Sequence, residues 1–359
     1  MVVNRMVIKR SSDAPENRPH RVVQWATGTI GARALRGVVE HPKMELVGLF
    51  VHSADKVGRD AGEFCDILAT GVLATDDIER IVELDADCVL YMPLVFDAEV
   101  VIRLLASGTN VVTTCGLFHH PPSMDPQLRQ RIQQACTLGA TSIHSTGSSP
   151  GFITEAVPLV LSSIQRRLDR LMIDEYADLS QRDSPAMLFD VMGFGRPPGD
   201  SNAARAEHLA ASFGPSLRLV GDALGCPLDS IDADGSVATA RATTRIAAGT
   251  IEQGTVAAQR TTVSGLVAGE PVLSFRANWY CTTDIEADWD LRDTGWHISV
   301  VGDAPLEVDL RFPIPLEQMA AVSPAYTANR AVNAIPSVCA ADPGIRSTLD
   351  LPHIATTLG

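Results

Sequence analysis

Residues 22–31 read VVQWATGTIG, an apolar run that breaks into a turn with glycines at 28 and 31. A turn that cradles a dinucleotide needs a small residue at its tight bend. It also needs a glycine where backbone meets pyrophosphate and another where the following helix packs on the strand. Ala26, Gly28 and Gly31 stand at those spacings, with alanine in the first glycine's place. A lone Gly-x-x-Gly also occurs in ordinary loops after apolar strands, so the surrounding pattern has to decide.

That pattern alternates. After the strand RVVQWA comes GTIGARALRGVVEHP, with apolar residues at helical spacing (Ile30, Ala34, Leu35, Val38, Val39), stopped before Pro42. MELVGLFVH is the next β-rich run. ATDDIERIVELD reads as a helix capped by Thr75, DCVLYMP as a strand stopped by Pro93, and DAEVVIRLLASG as a helix ending at Gly108. TNVVTTCG and ATSIHSTG are strands on either side of the helix PQLRQRIQQACTLG, and SSPGFITEAVPLVLSSIQRRL reads as a helix with Pro150 at its start. Strands alternating with helices of this length imply βαβ units and a parallel sheet with right-handed crossovers. The fold class expected is α/β: a Rossmann-type doubly wound parallel sheet, then a second α+β domain on a largely antiparallel or mixed sheet. The second part rests on long Thr/Val-rich runs between 171 and 313, broken by turns such as AAGT, AGEP and VGDAP, with AARAEHLAASFG as a helix between them. The tail SPAYTANRAVNAIPSVCAADPG reads as helical up to Pro336. The expected organisation is a disordered leader over 1–19, a dinucleotide-binding domain over 20–155, a substrate-binding and dimerisation domain over 156–324, and a C-terminal helix over 325–359 returning to the first domain.

Composition narrows the partners. The 359 residues are 45% hydrophobic and 20% charged with a formal net charge of −14, so nucleic acid and anionic membrane are not expected as partners. No apolar run reaches the length of a membrane span, and the N-terminal stretch lacks the apolar core of a signal peptide. The seven cysteines are scattered, odd in number and form no CxxC pair, which fits free thiols in a reducing cytoplasm.

Strand ends carry the candidate site, because a doubly wound sheet holds its ligand at the carboxyl edge. Ala26, Thr27, Gly28, Thr29, Ile30 and Gly31 form the turn. The second strand runs out into His52, Ser53 and Lys56, with Asp55 two residues past its end. A hydroxyl, an imidazole and an ammonium suit a 2′-phosphate, which favours NADP over NAD; a solvated loop is the plainer reading. Met92 and Pro93, Thr114 and Cys115, and the loop Ser149, Pro150 and Gly151 end the later strands and join the cofactor site. His119 and His120 follow in LFHHPP as acid/base candidates or as surface imidazoles of a Pro-rich loop, and no metal site is expected because no further ligands lie at suitable spacing. In IDEYADLSQRD, Asp174, Glu175, Asp178 and Asp183 cluster near Tyr176, and Tyr176 and Asp178 are the second domain's catalytic candidates.

Taken together, VVQWATGTIG, VHSADKVGRDAG, SGTNVVTT, HSTGSSPGF and TANRAVNAIPSVCAADPG resemble the dihydrodipicolinate-reductase-like dehydrogenases. They are more similar to the branch of 2,4-diaminopentanoate dehydrogenase and native amine dehydrogenases, above all its actinobacterial members. The resemblance implies NADP(H)-dependent interconversion of an amine with a carbonyl plus ammonia, or reduction of a related C=N bond. It also implies a homodimer, with residues 26–31 at the pyrophosphate, Ser53 and Lys56 on the 2′-phosphate, and Ser149, Pro150 and Gly151 beside the nicotinamide. The expected substrate is a small, largely apolar amine, carbonyl or imine. Two positions depart from the branch: no glutamate follows the NVVTT strand in TTCGLFHHP, and Ser149 stands where asparagine is common. The rival expectation is a nucleotide-binding sensor of the same fold without catalysis.

Overall fold

The computed structural model describes residues 18–199 and 202–357. Their contacts form two compact units, one running up to Gly151 and resuming at Pro324, the other Phe152–Ser323. The strands are β1 (His20–Trp25), β2 (Met44–Phe50), β3 (Ala74–Thr75), β4 (Cys88–Tyr91), β5 (Asn110–Thr113) and β6 (Ser142–Ser145) in the first unit. Then come β7 (Leu168–Asp178), β8 (Ser230–Thr239), β9 (Thr244–Ile246), β10 (Gly249–Ile251), β11 (Val256–Val267), β12 (Glu270–Tyr280), β13 (Gly295–Gly302) and β14 (Leu306–Arg311) in the second, and β15 (Gly344–Arg346) in the first. The helices are α1 (Thr29–Glu40), α2 (Ile78–Glu83), α3 (Ala98–Ala106), α4 (Pro126–Gly139), α5 (Val157–Ser162), α6 (Asn202–Ala223) and α7 (Leu316–Ala340).

The first unit is built on a seven-stranded sheet in the order β15-β6-β5-β4-β1-β2-β3, every pair parallel. Its strands are apolar on both sides because both faces are covered. On one face Val23, Val89, Val111 and Ile143 pack against α3 and α4 through Val101, Leu104, Leu105, Ile132 and Ala135. On the other, Val22, Leu90 and Val112 pack against Ala34 and Val38 of α1 and against Ala328, Ala331, Val332, Ile335 and Val338 of α7. Helices on both faces and a reversal of strand order at β1/β4 define the doubly wound sheet expected from the sequence. The second unit holds a six-stranded mixed sheet, β14-β13-β7-β12-β11-β8, in which only β7 and β12 run parallel. One face is covered by α6, whose Leu209, Phe213, Leu217 and Val220 meet Ile173, Val263 and Phe275, with the Phe213 and Phe275 rings stacked at 3.9 Å.

Several local expectations are corrected. The leader expected over 1–19 falls outside the described residues except Arg18 and Pro19, and Arg18 is held by a two-pronged pair with Asp87 at 2.8 and 2.6 Å. Thr75 lies in β3, and Asp77 caps α2 by accepting from the Glu79 amide. The helix expected to open at Pro150 starts only after Gly151, whose φ of 118° is not helical. Helix α6 continues through Gly214 and Pro215, since its buried stripe extends to Val220. Helix α7 likewise passes Pro336 to Ala340. An interior proline costs about 3 kcal/mol, whereas each of the buried Val332, Ile335 and Val338 contributes about 1.5–3 kcal/mol, so the helix persists. All seven cysteines are free thiols.

Candidate functional site

Parallel strands deliver their carboxyl ends to one edge of the first unit, and the turn after β1 begins there. Ala26 takes φ 74°, the left-handed conformation that a first glycine ordinarily supplies. It is held by its neighbours: its amide donates to Phe50 O at 2.9 Å, and its carbonyl accepts from the buried Gln24 side chain at 2.9 Å. Gly28 caps α1 with open space where a Cβ would stand, while a Cβ on Gly31 would lie 2.3 Å from Ala26 O. Helix α1 has no side-chain cap and no acid in its first turn. Its free amides and positive dipole end, with Thr29 and Ile30 in that turn, therefore face solvent as an anion site.

Past β2, His52 is exposed with its ring edge-on to Phe50, the two ring centroids 5.2 Å apart, and exposed Ser53 precedes a short 3-10 turn, Ala54–Lys56. Lys56 Nζ donates to Thr27 Oγ1 at 3.0 Å, which brings the cation to the dinucleotide turn. The loop behind it is tied by Asp60, whose carboxylate accepts the amides of Thr70 (2.9 Å), Gly62 (2.8 Å) and Gly71 (2.8 Å) and the Thr70 hydroxyl (3.1 Å). These donors, led by the Thr70 amide, hold the Asp60 carboxyl below its ordinary value of 3.8. A depressed folded value makes the stabilisation full above 3.8 and removes it as pH falls through the folded value. The amide resonances of Gly62, Thr70 and Gly71 should accordingly titrate together with a midpoint below 3.8 and lose that titration in Asp60→Asn; a midpoint at or above 3.8 would contradict the assignment.

At the next strand ends, buried Met92 donates its amide to Trp25 O at 3.2 Å, with Pro93 half-buried behind it. Thr114 and Cys115 are half-buried, the Cys115 carbonyl accepts from Ser145 Oγ, and burial pushes the Cys115 thiol up. The loop after β6 holds Ser149, Pro150 and Gly151, joined through a cis Ser149–Pro150 peptide. It is anchored by Thr327 of α7, whose hydroxyl meets Ser148 Oγ at 2.7 Å. Ser149 Oγ is buried and has no hydrogen-bond partner among the described residues. An orphaned hydroxyl and an open glycine cradle are what a nicotinamide dinucleotide would fill, so the residues fit that cofactor. His119 and His120 are 2% and 7% exposed, which corrects the surface-imidazole reading, and His120 Nδ1 lies 2.9 Å from Ser123 Oγ. Among the described residues no three His, Cys, Asp or Glu side chains stand together as metal ligands.

The second unit contains a cavity of about 950 Å³ between the start of α6, the segment 179–199 and the α6-facing side of the sheet. Strand alternation decides which acids reach it. Glu175 and Ala177 of β7 line the cavity, with Trp279, Gln259, Arg205 and His208. Tyr176 and Asp178 alternate onto the other face. There Tyr176 lies under the Arg292 guanidinium at 5.8 Å, and burial and the Asp174 carboxylate push its phenol up. Asp178 is half-buried and accepts from the Ser180 amide at 2.8 Å. Asp174 is buried against Arg276 and Asn278, whereas Asp183 is exposed. Sequence reading left out Gln24, Thr327 and the pairing of Glu175 with two indoles. Thr327 lies within the TANRAVNA stretch, but nothing in that stretch says which loop it ties.

The sequence profile of the 2,4-diaminopentanoate dehydrogenase C-terminal domain matches residues 152–359, and that of the dihydrodipicolinate reductase N-terminus matches 22–117. An amine dehydrogenase from Streptomyces virginiae is 31% identical over 346 residues, covering 92% of this chain and 95% of the relative. The chain belongs to this amine dehydrogenase and 2,4-diaminopentanoate dehydrogenase family. It is an NAD(P)-dependent oxidoreductase. The structure of amine dehydrogenase from Mycobacterium smegmatis shares the fold at a TM-score of 0.74, with 20% identity over 94% of this chain and 97% of that one. A probable dehydrogenase from Thermotoga maritima superposes at 0.56, with 13% identity over 92% of each chain.

Proposed function

We propose that this member of the family is an NADP(H)-dependent amine dehydrogenase, a cytoplasmic homodimer that interconverts a small amine with a carbonyl plus ammonium. In the amine-forming direction a carbonyl, ammonium, NADPH and a proton give the alkylammonium ion, NADP+ and water, so charge and atoms balance. The cofactor would supply the hydride; the chain supplies binding and orientation. The first-turn amides of α1 and Gly28 would receive the pyrophosphate, Ser53 and Lys56 the 2′-phosphate, and the Ser149 hydroxyl the carboxamide. The resemblance to amine dehydrogenases supports the substrate class and the dimer, and sedimentation of the purified protein checks the dimer.

The observation that carries the preference for NADP is Lys56 Nζ standing 3.0 Å from Thr27 Oγ1, a cation fixed at the end of β2 beside the turn. A charged hydrogen bond to the 2′-phosphate contributes about 1.5–3 kcal/mol, so Lys56→Ala should weaken NADPH binding by roughly tenfold to a hundredfold and leave NADH binding nearly unchanged. Calorimetric titration with both cofactors measures this. An unchanged NADPH/NADH affinity ratio would sink the assignment.

A further inference from the structure

The cavity of the second unit has one acidic residue among its lining, Glu175. Its two oxygens are fixed separately: Oε1 accepts from Trp279 Nε1 at 3.2 Å and Oε2 from Trp296 Nε1 at 2.9 Å. The sheet register explains the clamp, since Trp296 of β13 sits directly across from Glu175 and Trp279 of β12 pairs with Ala177, the next residue on the same face. Each oxygen keeps lone pairs that the indoles do not use. Among the described residues no Lys, Arg or His nitrogen comes within 4.0 Å of this carboxylate. Three arginines and His208 also line the cavity: Arg196 lies 3.9 Å from Asp190, Arg205 donates to Met192 O at 3.3 Å, and half-buried Arg182 makes no ion pair with Glu175.

A carboxylate held rigid in a half-buried cavity, with hydrogen bonds but no cationic side chain within ion-pair distance, is best satisfied by a cation that the ligand brings close to it. The Trp279 ring on the same wall adds an electron-rich face for such a cation. We infer that Glu175 binds the nitrogen of the substrate. It would hold the alkylammonium group in the oxidative direction and ammonium in the reductive one. This rests on the amine dehydrogenase reading above, and assigns within it a residue for the nitrogen.

The test uses the full chain and isopropylammonium chloride as probe, with potassium chloride at matched ionic strength as control. The protein has four tryptophans, so its indole N–H resonances can be assigned individually by NMR. The Trp279 and Trp296 signals should shift saturably with the amine while those of Trp25 and Trp289 stay in place. No saturable shift of either clamp indole overturns the inference. In turnover, Glu175→Gln should raise KM for ammonium and for amine at least tenfold and leave KM for NADPH unchanged; an unchanged amine KM in that folded variant also overturns it. Should Glu175→Gln fail to bind NADPH at all, the wild-type spectra decide alone. Should the wild type oxidise no amine in any panel, the amine dehydrogenase reading fails by itself, and the spectra still report whether Glu175 takes a cation.

Discussion

Gly31→Ala is expected to lower both the stability of the first unit and its affinity for NADPH, whereas Gly28→Ala lowers the affinity alone. The two glycines sit three residues apart in one turn, but their surroundings differ. A Cβ on Gly31 would stand 2.3 Å from the Ala26 carbonyl oxygen and 3.0 Å from its carbon, and both are backbone atoms that cannot rotate away. The turn must open, and overpacking of this kind costs about 1–3 kcal/mol. Ala26 is the residue already in the left-handed region, so the displacement falls where the backbone has least freedom. Gly28 has φ −71°, which any residue adopts, and nothing lies within 4 Å of its missing Cβ. Alanine there folds normally and fills the space the pyrophosphate needs. Losing the backbone approach removes charged hydrogen bonds of about 1.5–3 kcal/mol, on the order of a tenfold to hundredfold loss of affinity. Thermal unfolding and NADPH titration of both variants separate the cases. Equal stability losses in the two variants would mean that the turn is only structural.

Arg276→Leu should be the most destabilising surface-accessible change in the second unit. Asp174 has 4% side-chain exposure and is held by Arg276 through both oxygens, one contact at 2.9 Å, with Asn278 Nδ2 donating at 3.2 Å. The pair also pushes the Arg276 guanidinium up, through its hydrogen bond to Asp174. Removing the arginine leaves a buried carboxylate without its cation, which costs about 3–5 kcal/mol, or on the order of 10 °C in Tm for a unit of this size. Asp174→Asn on that background should restore part of the loss, because no charge then remains to be compensated. A Tm for Arg276→Leu within a degree or two of wild type would show that water reaches Asp174.

The turn and the alternation of strand and helix were legible because they are local. Periodicity, glycine spacing and caps all lie within a few residues, and β1, β2 and α4 follow them closely. What escaped depends on distant partners. The three residues of β15 become a strand only because β6 offers them an edge. Pro336 should stop a helix, and fails to because the stripe around it is buried by Val22, Leu90 and Val112, on strands more than two hundred residues away in sequence. The histidines of LFHHPP look solvated in a Pro-rich loop, but the fold buries them. In β7 the alternation itself was visible, yet which of its two faces would border a cavity was set by α6 and the segment 179–199. Glu175 and Tyr176 therefore could not be ranked from sequence alone.

The central claim, hydride transfer to the carbon that carries nitrogen, is tested most directly by isotope. NADPH deuterated at nicotinamide C4 on the transferred face, incubated with the enzyme, a small ketone and ammonium, should yield an amine with one deuterium on the carbon bonded to nitrogen. Mass spectrometry reads that label, and NADPH consumed should match amine formed. NADPH that binds tightly while no labelled product forms from any ketone or aldehyde, with or without ammonium, would contradict the account.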